Sequence, residues 1–397
     1  MRYVLLFLII FSLRIPYFYN SVIFSLFILL IYGSYLQKLR LSKDIIILLI
    51  LQIVFFLISI ILPTIFSTYD YTFSKNILSV IILTLTLNLY FNIFFDKIKT
   101  IDHAKKIFVN IFIIQSIWII SVIVFPDLQI VNAAFQDQIV SSTVQDYESQ
   151  RGFALTFSPF FGVSVLFAFA LFLFFNINNV KNAKISFINL IYFSLLFICG
   201  STSGRTFLIG AIIIVFFNIL NDIVNRRIFT IKILLILLFF IYILSILTSY
   251  FNLDVIDSVY NKILPFAFEI FYNYFINGNF STTSSNDTLQ MYYPITGDTL
   301  FFGDVKYSYD QYFYYGDTDS GYMRPILFFG LFGFIPWVFY FLYIIFYVVK
   351  RTKISLMLIP TLLTFIFALK GETIGYPSYL NVFFIYFYVY LTQKSRI

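Results

Sequence analysis

Long apolar segments separated by short polar stretches dominate the hydrophobic pattern of the chain. Twelve of them fall at residues 3–18, 19–36, 45–65, 76–94, 107–125, 153–175, 185–199, 203–220, 231–250, 323–349, 354–369 and 374–392. The runs are continuous, whereas the strands of a membrane barrel would alternate apolar and polar positions. Because backbone groups in lipid must bond within their own segment, the pattern predicts an all-α integral membrane protein with about 11–12 transmembrane helices.

The composition agrees with lipid as the main solvent of the chain. Of its 397 residues 60% are hydrophobic and 11% are charged, and the mean hydropathy is +0.91. A soluble protein of this length could not cover so much apolar surface. One cysteine, Cys199, and one histidine, His103, exclude a disulfide framework and a Cys/His metal site.

The N-terminus has the charge and length of a signal peptide, with Arg2 ahead of an apolar stretch from Val4 to Leu13. No pair of small residues marks a cleavage site after it. We therefore interpret it as a retained membrane segment, although it is short for a full crossing.

Basic residues alternate between the loops. One set of loops, with the termini, holds 18 of the 26 basic residues and 4 of the 19 acids, and the other set holds 8 basic residues and 15 acids. The positive-inside rule assigns the first set and both termini to the cytoplasm of a multi-pass protein in the cytoplasmic (inner) membrane. The net charge of +7 then reflects topology and does not predict a nucleic-acid partner.

The segments divide the chain into three regions. About nine helices are predicted over residues 1–250, a large periplasmic or extracellular loop over 251–322, and about three helices over 323–397. The loop has 72 residues with nine acids and two lysines, and its apolar piece from Ile263 to Tyr274 predicts short interfacial helices. A smaller outer loop is predicted at 126–151.

All four arginines of the predicted outer side lie at helix mouths. They are Arg14, Arg151, Arg205 and Arg324. An arginine at such a place can snorkel to lipid phosphate, but several together favour a shared anionic ligand, because a guanidinium donates paired hydrogen bonds to phosphate. Ser203 and Gly204 precede one of them in a turn of small residues, whose N–H groups and hydroxyls could hold a phosphate or simply make a tight hairpin.

These features resemble Wzy-type polysaccharide repeat-unit polymerases, the O-antigen and capsule polymerase family. The topology carries the resemblance, together with three motifs. They are Ser203-Gly204-Arg205, the run Thr318-Asp319-Ser320-Gly321-Tyr322 leading into Arg324 and Gly330, and Arg151 followed by ten residues and then Gly162. Members of the family carry an arginine-ten-glycine motif in two outer loops, and the second copy is missing here because position 335 is Ile335.

The resemblance implies a glycosyl transfer between undecaprenyl-diphosphate-linked repeat units on the outer face of the membrane. An acceptor hydroxyl attacks the anomeric carbon and polyprenyl diphosphate leaves, so fixed cations would stabilise the leaving phosphate. We assign that role to Arg151, Arg205 and Arg324. Asp319 is the expected base or acceptor for the attacking hydroxyl, with Asp317 and Glu372 as substitutes. Tyr322, Lys370, Ser203 and Gly204 are expected to line the substrate site.

No metal and no cofactor is predicted. Asp317-Thr318-Asp319 matches the D-x-D pattern that holds a divalent cation in other glycosyltransferases, but such a pattern arises easily by chance in an acidic loop. The expected partners are lipid-linked repeat units, membrane lipid and, from the family alone, a chain-length regulator.

Three alternatives remain open from the sequence. The related O-antigen ligases rely on a histidine in the large outer loop, whereas His103 lies in a loop assigned to the cytoplasm. A flippase for lipid-linked oligosaccharide or a solute permease would place ionisable residues deep within its helices, and the middles of these segments carry almost none. Polar residues within the helices, such as Gln52 and Gln115, are interpreted as interhelical hydrogen-bonding groups.

Overall fold

The computed structural model describes twelve stretches of the chain. They are residues 1–15, 20–35, 41, 43–94, 100–136, 153–156, 161–180, 187–236, 264–279, 282–309, 314–349 and 354–374.

Helices make up most of these stretches, and no strand occurs in them. The helices are α1 Arg2–Phe11, α2 Ser21–Tyr35, α3 Lys43–Ile65, α4 Thr72–Phe94, α5 Ile101–Val124, α6 Gln129–Ala134, α7 Phe161–Val180, α8 Phe187–Ser203, α9 Thr206–Val224, α10 Leu264–Ala267, α11 Glu269–Asn277, α12 Thr283–Gln290, α13 Asp298–Phe302, α14 Met323–Val349 and α15 Ile354–Phe367. Short 3-10 turns lie at Pro126–Leu128 and Tyr315–Asp317, and residues 229–236 are also helical.

Five of the described helices are long and apolar enough to cross a membrane. These spans are Ile45–Ile65, Thr72–Phe94, Asp102–Val124, Thr206–Val224 and Met323–Phe346. Five shorter apolar helices accompany them, namely α1, α2, α7, α8 and α15. The chain is therefore an all-α membrane protein, as the hydrophobic pattern predicted.

The centre of the bundle is α7. Its residues from Val163 to Phe175 are buried, and it packs against α5, α8, α9 and α15. A neighbouring group is formed by α2, α3 and α4, and α3 is tied to two other helices through Gln52. The Gln52 amide donates to the hydroxyls of Thr84 on α4 and Tyr340 on α14, at 2.9 and 2.7 Å. This is the interhelical role that the sequence predicted for Gln52.

Several connections between helices contact one another. They include the turn after α3, the segment that leads into α14 and the end of α15, where the Gly321 N–H donates to the Ala368 carbonyl at 2.9 Å. Hydrogen bonds join these connections, for example from the Thr68 hydroxyl after α3 to the Val305 carbonyl at 2.8 Å. We call this the loop end of the bundle.

Several predicted helix boundaries were wrong. The segment 3–18 is helical only to Phe11, because Ser12 adopts the left-handed conformation (φ 49°) and ends α1. Residues 153–156, predicted to begin a helix, are non-helical, and their carbonyls accept hydrogen bonds from side chains such as Gln115 and Gln136. Helix α5 begins at Ile101 and not at 107, since the Thr100 hydroxyl caps it by accepting from the N–H of His103.

That earlier start moves Lys105 out of the predicted basic loop. Lys105 lies in α5, where it is buried and donates to Asn176 of α7 at 2.5 Å and to Asp102 at 3.2 Å. The predicted helix at 374–392 lies outside the described residues beyond Ile374, as do the last residues of the one predicted at 231–250.

A kink at Gly330 divides α14 near its start. Gly330 has φ 63° and ψ −175°, a backbone conformation that only glycine adopts without strain. A Cβ at this position would lie 2.1 Å from the Phe301 carbonyl oxygen of α13. The kink therefore lets α13 rest directly on the backbone of α14.

We expect Gly330→Ala to lower stability by about 2–4 kcal/mol, since backbone strain and a backbone clash act together. Gly278→Ala is the matched control, because Gly278 has φ 65° but nothing within 4 Å of an added Cβ. That variant carries the left-handed strain alone, about 1 kcal/mol. Thermal unfolding of the two full-length proteins in detergent measures the difference, and equal melting temperatures would show that α13 does not rest on Gly330.

Candidate functional site

The run Thr318–Tyr322 lies directly before α14, and most of its side chains hold the start of that helix in place. The Ser320 hydroxyl accepts from the N–H groups of Tyr322 and Met323 at 3.2 and 3.3 Å, which satisfies donors of the first helical turn. The Thr318 hydroxyl accepts from the N–H of Ser320, and the Tyr322 hydroxyl donates to the Phe365 carbonyl of α15. These three side chains are therefore structural.

Arg324 lies buried in the first turn of α14, with 7% of its surface exposed. Its Nη1 lies 3.5 Å from a carboxylate oxygen of Glu372, whose side chain is only 9% exposed. The guanidinium is sandwiched between the rings of Tyr307 and Tyr314, at 3.9 and 3.7 Å from the ring centroids. A charge taken out of water requires such compensation, from the carboxylate and from the negative faces of the rings.

Asp319 differs from its neighbours in the motif. It is exposed, and its carboxylate makes no hydrogen bond within the described part of the chain. Surrounding residues partly desolvate the carboxylate, which raises its pKa above the ordinary aspartate value, against the lowering effect of Arg324 and Lys370. Asp319 is thus an accessible carboxylate between two cations.

The wall beside Asp319 comes from α12 and from the end of α15. Lys370 donates to the hydroxyl of Ser284 on α12. The Tyr292 hydroxyl donates to the Leu369 carbonyl at 2.7 Å and accepts from Ser320 at 2.8 Å. Tyr307, Tyr314, Asp319, Arg324, Lys370 and Glu372 together form what we call the mouth cluster.

Arg205 belongs to a different group. It forms an ion pair with Glu269 of α11, its Nε donates to the Phe266 carbonyl at 3.2 Å, and its guanidinium lies 4.4 Å from the Phe266 ring centroid. Glu269 and Phe266 thus contact Arg205, whereas Glu372, Tyr307 and Tyr314 contact Arg324.

The turn before Arg205 is not the open phosphate cradle that its sequence allowed. Ser203 is buried at the end of α8, and its hydroxyl donates to the Cys199 carbonyl of the same helix at 2.7 Å. A Cβ on Gly204 would lie 2.4 Å from the Ser164 hydroxyl of α7. Close packing between α7 and the turn therefore favours a residue as small as Gly204, which agrees with a tight hairpin.

The structure thus gathers four of the ten predicted site residues. Asp319, Arg324, Lys370 and Glu372 meet in the mouth cluster. Asp317 lies nearby in a left-handed conformation. Burial, together with the nearby charge of Asp317, raises the pKa of Tyr293. Tyr322, Ser203, Gly204 and Arg205 make the other contacts described above, and Arg151 lies outside the described residues.

The sequence did not predict two members of the mouth cluster, Tyr307 and Tyr314. It also did not predict Asp70, whose carboxylate binds the backbone of Tyr307. Tyr307 and Tyr314 carry no signal among 31 tyrosines. Asp70, in the turn between α3 and α4, accepts from the N–H groups of Tyr307 and Ser308. A helix-start signal existed, since Asp70 and Thr72 precede an apolar run, but no local pattern connects them to residue 307.

The fold and the cluster define a multi-pass α-helical membrane protein with a buried arginine and an accessible carboxylate at one helix mouth. No family model, curated protein or solved structure matches the chain. The functional argument therefore depends on the side chains themselves.

The ion pair in the mouth cluster predicts strong coupling between its members. We expect Glu372→Gln alone to lower stability by about 3 kcal/mol, since it leaves a buried guanidinium without its carboxylate. The double variant Arg324→Met/Glu372→Gln should lose clearly less than the sum of the two single losses. The free energies of unfolding of wild type, both single variants and the double variant are measured on full-length protein in detergent. The exposed Asp298→Asn is the control. Additive losses would contradict the pairing of Arg324 with Glu372.

Proposed function

We propose that this chain is a metal-independent membrane glycosyltransferase that polymerises saccharide repeat units carried on polyprenyl diphosphate. The observation that supports it most is Asp319, an accessible carboxylate without a hydrogen-bond partner among the described residues, beside Arg324 and Lys370. An acid for a sugar hydroxyl and cations for a phosphate are the groups this transfer needs. The resemblance of the motifs to Wzy-type polymerases points to the same reaction.

The reaction proceeds by displacement at the anomeric carbon of the donor. The acceptor hydroxyl oxygen forms the new bond to that carbon while its proton passes to Asp319. The bond from the anomeric carbon to the phosphate oxygen breaks, and polyprenyl diphosphate leaves with the electron pair. Lys370 and Arg324 provide positive charge for the growing negative charge on that phosphate, although Glu372 offsets part of the charge of Arg324.

The loop end faces the periplasm or the cell exterior in this proposal. The acids of residues 251–322 and the basic residues of the opposite loops favour that orientation by the positive-inside rule. A lipid-linked saccharide then presents its diphosphate at the membrane surface, near the depth of a helix mouth.

Glycan length in cells lacking this gene tests the proposal. We expect a ladder of surface saccharide to collapse to a single repeat unit, because export and attachment continue without polymerisation. Single units trapped on the cytoplasmic side would instead identify a flippase. Long polymer that stays on its lipid carrier would identify a ligase, and an unchanged ladder would exclude all three.

In the same strain, a plasmid encoding Asp319→Asn should leave single units only, at normal protein level in the membrane. The amide cannot accept the proton of the attacking hydroxyl, and loss of a general base typically costs about 10²–10⁴-fold in rate. Asp287→Asn is the control, an exposed acid of the same loop outside the mouth cluster. A normal ladder with Asp319→Asn would show that this carboxylate is not the base.

The raised pKa of Asp319 predicts the pH dependence of polymerisation. Only the ionised form accepts a proton, so the rate should fall on acidification with a midpoint above about 3.9, the ordinary aspartate value. The measurement is the initial rate of polymer formation by full-length protein in vesicles between pH 4 and 8. If the residual rate of Asp319→Asn falls on acidification in the same way, a group other than Asp319 causes the pH dependence.

A further inference from the structure

The turn between α3 and α4 holds a segment of the long loop through one carboxylate. Asp70 Oδ2 accepts from the N–H of Tyr307 at 2.6 Å and from the N–H of Ser308 at 2.8 Å. Burial alone would raise the pKa of Asp70. The hydrogen bonds from Ser308, Thr72 and Tyr307 lower the pKa by more than burial raises it, so the net pKa lies below the ordinary aspartate value. The carboxylate is therefore ionised at neutral pH and forms charge-assisted bonds to the loop.

The same helix pair holds Tyr307 and its neighbours through further contacts. The Asn76 amide of α4 donates to the Tyr307 hydroxyl at 3.2 Å, and the Thr72 and Ser308 hydroxyls lie 2.9 Å apart. The Phe73 ring meets the Tyr307 ring edge-on at 5.1 Å between centroids. Tyr307 is thus fixed at its backbone, at its hydroxyl and at its ring.

The ring of Tyr307 is one of the two that sandwich Arg324. A continuous series of contacts therefore runs from Asp70, through the Tyr307 backbone and ring, to the guanidinium in the mouth cluster. Asp70 and Tyr307 are 237 positions apart in the chain, so α3 and α4 help to shape a site otherwise built from the long loop and the helices after it.

We propose that Asp70 is a positioning residue for the transfer reaction: it fixes Tyr307, and through it Arg324, beside Asp319. This inference depends on the proposed function of the mouth cluster. Asp70 contacts no reacting atom in this proposal. Its effect comes from holding a cation in place, and a displacement of about 1 Å at such a group can cost on the order of 100-fold in rate.

The variant Asp70→Asn separates the bond of Asp70 to its own helix start from its bonds to the long loop. The other carboxylate oxygen, Oδ1, accepts from the N–H of Thr72 at 3.0 Å and so supports the start of α4. Asparagine makes this local turn as well as aspartate does. It cannot keep that bond and also accept from both loop N–H groups, because its second polar atom is a donor. Asp70→Asn must therefore lose one of the two sets of bonds, and the local turn of asparagine at the helix start favours keeping the bond to Thr72 and releasing the loop.

The test compares Asp70→Asn, Arg324→Ala and wild type as full-length proteins in lipid vesicles. The probe is lipid-linked saccharide extracted from cells that lack the gene. We expect kcat and kcat/KM of Asp70→Asn to fall together by about 10–100-fold, the signature of an interaction lost in the transition state. Asp127→Asn, which changes an exposed acid outside the mouth cluster, should match wild type.

Hydrogen–deuterium exchange on the same samples reports the geometry without any substrate. Peptides covering residues 303–309 should exchange faster in Asp70→Asn, while peptides from α4 keep their protection. Faster exchange together with a lower kcat supports the inference. Unchanged exchange, or faster exchange at normal kcat, overturns it.

Arg324→Ala separates this inference from the proposed function. A slow Arg324→Ala with a normal Asp70→Asn would overturn the role of Asp70 and leave the site in place. A normal rate for Arg324→Ala would show that the reaction does not need the cation that Asp70 positions. That result overturns the inference whatever the rate of Asp70→Asn. Wild-type protein that forms no polymer from the probe would refute both.

Discussion

The buried guanidinium of Arg324 is the constraint on which the loop end of this protein depends. Transfer of a charge from water to a protein interior costs several kcal/mol after relaxation, so its surroundings must compensate it. Glu372, after α15, supplies the opposite charge, and Tyr307 and Tyr314 supply two ring faces. These partners come from two separate parts of the chain, the long loop and the segment after α15. One arginine therefore fixes the long loop and the end of α15 against the start of α14.

Acids of the long loop serve its folding as well as its solubility. Asp304 accepts from the hydroxyls of Thr299 and Tyr315 at 2.7 and 2.9 Å, while its own N–H donates to the Leu327 carbonyl of α14. Burial, followed by the hydrogen bond to Asp304, raises the pKa of Tyr315 to about 12, so this hydroxyl stays a donor. Short polar contacts of this kind let a loop with few long helices take a defined shape at a helix mouth.

The fold was more predictable than the site, for a physical reason. Hydrophobic runs record the thickness of the bilayer, and they located helices such as α3, α9 and α14 from local composition alone. Helix ends depend on single capping contacts, which is why Thr100 and Ser12 moved two boundaries. The motif around Asp319 was visible because its residues are adjacent. Tyr307, Tyr314 and Asp70 reach the cluster through tertiary contacts, for which one sequence holds no local signal.

Within the motif, burial separates the structural residues from the one available for chemistry. Thr318 and Ser320 are fully buried, and their hydroxyls act on backbone N–H groups. Arg324 is held by Glu372 and two rings, so a phosphate can approach it only in competition with a carboxylate already in place. Arg205 meets the same competition from Glu269. Asp319 has no such competitor among the described residues, and Lys370, which donates to the Ser284 hydroxyl, lies in the electrostatic field of Asp319. In the proposed reaction, the substrate therefore contacts Asp319 and Lys370 directly, while Arg324 acts through its fixed charge.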